Sequence, residues 1–192
     1  MKFLIVLITA ILITGVVSAQ HGNTPPGHVN LGLKGGLNLY NLHNDDNTKY
    51  DTRVGYHFGL LGHIHFDNHF AIQPEIVYSA QGAKYNVESE TAKFNLDYIN
   101  VPVLFQYMFD NGFRLQAGPQ VGLLIGSTEN KDNFRPIDFG LSFGVSYVFP
   151  PTGFGVDARY NLGLTNINEN SDVNSTNRGF QLGLFYIFKY NR

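Results

Sequence analysis

The chain has 192 residues, of which 43% are hydrophobic, 14% aromatic and only 15% charged, with 21 glycines, no cysteine and no tryptophan. That charge content lies below the ~25% of an average soluble domain, and the aromatic content is too high for a disordered chain. A net charge of −2 leaves no electrostatic footprint for nucleic acid, and the missing cysteines exclude disulfides, thiolate zinc sites and iron–sulfur clusters.

A mean hydropathy of −0.11 argues against a bundle of membrane helices. It does not argue against a membrane β-barrel, whose polar lumen offsets its apolar exterior in any average.

In chain order, the first segment reads as an address. Met1-Lys2 supplies positive charge. Phe3 to Val17 is an apolar run softened only by Thr and Gly, and Val17-Ser18-Ala19 forms a small-residue cleavage site before Gln20. The run is short for a spanning helix of ~20 residues. The expectation is a signal peptide at 1–19 and a short periplasmic N-terminal segment at 20–29. No cysteine follows the cleavage site to carry a lipid anchor.

From residue 30 onward the sequence alternates with period two. Leu31, Leu33, Leu37 and Leu39 interleave with Gly32, Lys34, Gly36 and Asn38. Phe139, Leu141, Phe143 and Val145 interleave with Asp138, Gly140, Ser142 and Gly144. Similar runs cover 113–125, 154–164 and 180–190, and less cleanly 54–66 and 70–81. Successive strand side chains point to opposite faces, so each segment is a strand with one apolar and one polar face. One segment changes phase: Phe94, Leu96 and Tyr98 are even, whereas Ile99, Val101 and Val103 are odd. This predicts a β-bulge near Tyr98–Asn100.

Eight strands are predicted, at 30–40, 53–66, 69–81, 93–109, 113–126, 136–149, 153–165 and 178–190. Short turns (Asp67-Asn68, Asp110-Asn111-Gly112, Pro150-Pro151-Thr152) alternate with long polar connections at 41–52, 82–92, 127–135 and 166–177. Short turns on one rim and long loops on the other is the layout of bacterial outer-membrane barrels, and an even strand number puts both termini on the short-turn, periplasmic side. Aromatics flank both ends. Phe66, Phe70, Phe109, Phe113, Phe149, Phe154, Phe188 and Tyr190 lie by the short turns. Tyr40, Tyr56, Tyr78, Tyr98, Phe139, Tyr160 and Phe180 lie by the long loops. Two such belts mark the two membrane interfaces.

A soluble eight-stranded barrel would alternate in the same way. Its water-facing side would carry many Lys and Glu, whereas the polar face here is mostly Gly, Ser, Asn and Gln. Gly suits the crowded concave side, which leaves Leu, Ile, Val, Phe and Tyr facing outward, as only lipid allows. The expected fold is all-β: an eight-stranded antiparallel up-and-down transmembrane β-barrel over 30–190, in the bacterial outer membrane.

With that orientation, Lys34, Glu75, Arg114, Asp138, Asp157 and Arg159 fall in the lumen as a charge network, beside Gln73, Gln116 and Gln181. Buried charges must be paired, and an eight-strand interior is just wide enough for side chains to fill. The expectation is a closed lumen. His57, His63 and His65 share one face of the second strand, and the i, i+2 pair could place two imidazoles on one ion. No third ligand stands out, so no metal or other cofactor is expected. Ser79, Ser142 and Ser146 point inward and no G-x-S-x-G elbow occurs, so no catalytic residues are assigned.

Several strand motifs carry a family likeness. Leu31-Gly-Leu-Lys-Gly-Gly-Leu-Asn-Leu39, Gln73-Pro-Glu-Ile-Val-Tyr-Ser-Ala-Gln-Gly82 and Leu96-Asp-Tyr-Ile-Asn-Val-Pro-Val-Leu104 occur in order with Ala117-Gly-Pro-Gln-Val-Gly-Leu-Leu124 and Tyr160-Asn-Leu-Gly-Leu-Thr-Asn166. Together they resemble the PorT-like outer-membrane β-barrels of Bacteroidetes. The resemblance implies a barrel held in outer-membrane lipid after insertion by the barrel-assembly machinery, with no catalytic residues. One member of that family serves a protein-secretion system. For this chain the leading expectation is a non-enzymatic barrel with a structural or partner-binding role, its protein partner meeting the extracellular loops or the periplasmic rim. Accessory work in secretion or transport, and lipid modification, are the alternatives.

Overall fold

The computed structural model describes residues 29–44, 51–87, 90–127, 135–166 and 175–188. Its strands are β1 (Val29–Asn44), β2 (Asp51–His65), β3 (Phe70–Val87), β4 (Glu90–Met108), β5 (Phe113–Ser127), β6 (Ile137–Val148), β7 (Phe154–Gly163) and β8 (Ser175–Ile187). They form one closed antiparallel barrel in chain order. The ring closes where β1 pairs with β8, from Gly32↔Ile187 to Asn44↔Ser175. Closure leaves no strand edge unpaired around the ring, as a backbone in hydrocarbon requires.

The period-two pattern becomes two surfaces. On β1, Leu31, Leu33, Leu37 and Leu39 are exposed outward while Lys34, Asn38 and Tyr40 are buried in the lumen. The same division runs through β8, where Phe180, Leu182 and Leu184 face out and Gln181, Phe185 and Ile187 face in. An exterior this apolar is stable only against lipid.

The three short turns share one rim with the start of β1 and the end of β8. In the first, Asp67 Oδ1 accepts hydrogen bonds from the backbone N–H groups of His69 and Phe70, both at 2.7 Å. In the second, Asn111 Oδ1 accepts from Phe113 N–H at 3.0 Å, and Gly112 adopts the left-handed conformation with φ of 92°. A side chain there is strained by its own backbone. In the third, the Thr152 hydroxyl accepts from Phe154 N–H at 3.1 Å.

Outward rings gather at both ends. Near the short turns, Tyr107 packs edge-on to Phe70 and Phe109, at centroid distances of 5.2 and 4.9 Å. Near the other rim, Tyr56 meets Tyr78 at 5.8 Å and Tyr160 meets Phe180 at 4.9 Å. Two expected belt members are elsewhere. Tyr40 and Tyr98 are buried in the lumen, because both occupy inward positions of their strands.

Three local expectations also change. Residues 82–92 are not mainly a loop: β3 runs to Val87 and β4 starts at Glu90, paired throughout from Gly82↔Asn95 to Val87↔Glu90. A ladder needs no hydrophobic alternation where it projects past the bilayer, so the pattern stops before the strands do. Similarly β1 continues to Asn44 and β8 begins at Ser175. The β4–β5 register does shift at Asp97/Tyr98, but the extra residue is Ile125, on β5. In β4 the even residues Leu96, Tyr98, Asn100, Leu104 and Gln106 all stay buried. The phase change is therefore a mixing of polar Asn100 and Gln106 with apolar Leu104 on the inward face, along an unbroken pleat. The proposed signal peptide, residues 20–28 of the N-terminal segment, residues 45–50, most of the connections at 127–135 and 166–177, and Tyr190 lie outside the described residues.

Candidate functional site

The lumen holds a cluster of buried charged side chains. Four of the six expected residues meet there. Arg159 on β7 donates from Nη1 and Nη2 to the two carboxylate oxygens of Glu75 on β3, each at 2.7 Å. Strands β3 and β7 are four steps apart in the ring of eight, so this fork crosses the full width of the barrel. Lys34 on β1 donates to Asp157 Oδ2 at 2.9 Å and lies 3.4 Å from Glu75 Oε2. Asp157 Oδ2 also lies 2.9 Å from Arg159 Nε. All four side chains are almost wholly shielded from solvent. Two positive and two negative charges leave the group neutral, which is what makes its burial tolerable.

Arg114 and Asp138 face the lumen at other levels. Arg114 stands in register with Met108 and Ser146 toward the short-turn rim, and Asp138 with Gly122 toward the long-loop rim.

Amides extend the quartet. Gln73 donates to Glu75 Oε1 at 2.7 Å, and Gln106 donates to Gln73 Oε1 and Gln116 Oε1. On the long-loop side, Asn38 Nδ2 donates to Tyr56 O, Ala80 O and Ser79 Oγ, while its Oδ1 accepts from Gln181 Nε2 at 3.1 Å. Asn161 donates to the Tyr40 hydroxyl at 2.7 Å, and the Ser142 hydroxyl lies 2.6 Å from Asn161 Oδ1. Asn177 bonds Gln81 across the same end. Of the three inward serines, Ser79 and Ser142 are bonded to amides, and Ser146 lies in register with Arg114 and Asp157.

A second layer escapes a reading based on polarity. Leu61, Val148, Phe185 and Ile187 form a buried apolar cluster inside the barrel. Val148 and Ile187 end their strands at the short-turn rim, which places the cluster toward that end of the barrel. The signal was present as Phe185 and Ile187 breaking the Gln181–Gly183 polar series, but the aromatic-rich end of β8 hides it. Phe185 lies directly over Gly155, its register partner on β7, where a β-carbon would run into the ring. Small residues opposite large ones let the narrow interior fill without voids.

The histidines separate. His57 is buried and its Nδ1 lies 2.8 Å from Asn38 Oδ1. His63 is also buried, with its ring 4.3 Å from that of His65 in an edge-on contact. Among the described residues, no three His, Asp or Glu side chains converge to hold a metal ion.

Outside the spanning strands, the geometry of the first turn clearly shifts the titration of the Asp67 carboxylate. The two backbone N–H groups it accepts from hold its carboxyl below the ordinary range.

Comparison with known proteins agrees with this geometry. Neisserial surface protein A superimposes with a TM-score of 0.55 at 15% identity, covering 82% of this chain and 97% of that one. Ail, the attachment invasion locus protein of Yersinia pestis, in complex with the heparin analogue sucrose octasulfate, gives 0.50 at 16%, covering 84% and 99%. The outer membrane protein OprG from Pseudomonas aeruginosa gives 0.50 at 13%, covering 84% and 97%. At such identities the likeness is one of fold. No curated protein sequence matches the chain. Residues 18–169 match the family described as outer membrane protein beta-barrel domain, and the chain, an eight-stranded antiparallel barrel of the outer membrane, belongs to that family.

Proposed function

We propose that this chain is a non-enzymatic outer-membrane barrel with a sealed lumen, acting through its long polar loops as a structural or partner-binding surface. One observation carries the reading: the Arg159–Glu75 fork spans opposite walls of the barrel, and nothing wider than a side chain passes such a crossing. The apolar cluster at the other level supports the seal.

In this reading residues 1–19 are removed in transit and residues 20–29 lead into the barrel from the periplasm. The short-turn rim and both termini stay on the periplasmic side, as expected for an even-stranded outer-membrane barrel. Loops rich in Asn, Asp, Ser, Thr, Glu and Lys then face the outside. Insertion falls to the barrel-assembly machinery, as for other barrels of this layout.

Liposome swelling tests the seal. Proteoliposomes carrying the folded barrel are expected to swell in small sugars no faster than empty ones. Swelling that scales with protein content overturns the reading.

A further inference from the structure

We infer that the lumen contains a built site for one water molecule, held between His57 Nε2 and Asp157 Oδ1 in the space above Gly183. Both atoms are buried and neither has a hydrogen-bond partner. Both converge on the same point. A β-carbon added at Gly183 would collide with Asp157 Oδ1 and come within 3.1 Å of His57 Nε2, so both atoms approach the face of Gly183 that carries no side chain.

The protonation pattern follows from Asn38. Its Nδ2 end donates to two backbone carbonyls, Tyr56 O and Ala80 O, both at 3.0 Å, which accept only. Its Oδ1 end therefore faces His57 Nδ1 at 2.8 Å and must accept. His57 is thus held with its proton on Nδ1, leaving a bare lone pair on Nε2. Asp157 Oδ1 is an acceptor as well. Two acceptors aimed into one gap need a ligand with two donors.

Water meets that need. A cation does not, because the charges facing His57 are already balanced: Lys34 on β1 and Arg159 on β7 are positive, Glu75 on β3 and Asp157 on β7 are negative. A metal ion or a second imidazole proton would add uncompensated positive charge inside a low-dielectric barrel. Buried waters of this kind bind unsatisfied polar groups in place of protein partners.

The test uses the full barrel, labelled with 15N-histidine and folded in nanodiscs. Long-range 15N–1H correlation is expected to place the His57 proton on Nδ1 and none on Nε2. The imidazole carbon-bound protons are expected to show a cross-relaxation peak to a long-lived water. In Gly183→Ala that water peak should vanish while the Nδ1 proton remains. A proton on Nε2 in the unsubstituted protein would remove the pair of acceptors on which the site is built and overturns the inference. So does the absence of a water peak in that protein, or its persistence in Gly183→Ala. Because the unsubstituted protein alone decides the first two outcomes, the test holds even where Gly183→Ala does not fold.

Discussion

Arg159 grips Glu75 through two hydrogen bonds of 2.7 Å, and the two residues stand on strands at opposite sides of the barrel. The fork joins two walls that share no backbone ladder. Gln73 and Lys34 complete the shell around the Glu75 carboxylate.

Removing one partner strands a charge. Arg159→Met leaves Glu75 and Asp157 facing Lys34 alone, and loss of one member of a buried pair costs about 3–5 kcal/mol. Removing Glu75 as well, in Glu75→Leu/Arg159→Met, leaves Lys34 and Asp157 as a neutral pair 2.9 Å apart. The double variant is expected to be more stable than Arg159→Met. Urea titrations of refolding into vesicles check this through the order of the midpoints.

Phe185 sits where a β-carbon of Gly155 would go. Gly155→Ala forces the ring against the apolar cluster, and overpacking of this kind costs about 1–3 kcal/mol. The same titration should show a lowered midpoint. A glycine on the lipid-facing side such as Gly62, between the inward Leu61 and His63, should tolerate alanine better, since the nearest atom there is 3.6 Å from the added carbon.

The outer face should report membrane depth. Leu182 is 54% exposed on the outward side of β8, in register with Leu37 and Ala158 near mid-strand. Leu164 is 58% exposed just past the end of β7, by the long-loop rim. Arginine at Leu182 is expected to cost about 2–4 kcal/mol and at Leu164 about 0–1 kcal/mol, the midplane and interface ranges. Refolding into bilayers resolves the two.

Asp67 sets a pH dependence for the first turn. Its backbone hydrogen bonds depress the folded-state value below the ordinary 3.8. A depressed carboxylate contributes stability that is fully present above its ordinary value and is lost as pH falls through the folded one. The turn is therefore expected to be insensitive to pH near neutrality and to loosen only in acid below about 3.8. A carboxyl 13C titration of Asp67 should give a midpoint under 3.8, and one at or above it contradicts the turn geometry.

Most of the architecture was legible because a barrel wall obeys one rule, alternation, over almost every strand. The parity of Leu31 through Leu39 assigned both faces of β1, and Ser142 and Ser146 turned inward as their parity required. The rule failed where its premise failed. Phe185, Ile187, Leu96 and Tyr98 are apolar yet inward, because the interior of an eight-stranded ring is narrow enough for side chains from facing walls to bury one another. Strands β3 and β4 outrun their apolar pattern, because backbone pairing from Gly82↔Asn95 to Val87↔Glu90 continues without needing hydrophobic alternation. The composition of the lumen was legible but its pairing was not. No spacing in the sequence tells that Arg159 reaches Glu75, 84 residues away, rather than Asp138.

The sealed lumen is tested most directly by single-channel recording of the purified, refolded barrel in a planar bilayer. The account predicts no stable conductance steps under applied voltage, with the Arg159–Glu75 fork and the Leu61–Val148–Phe185–Ile187 cluster in place. Large, long-lived steps of uniform size from the unsubstituted protein would contradict it.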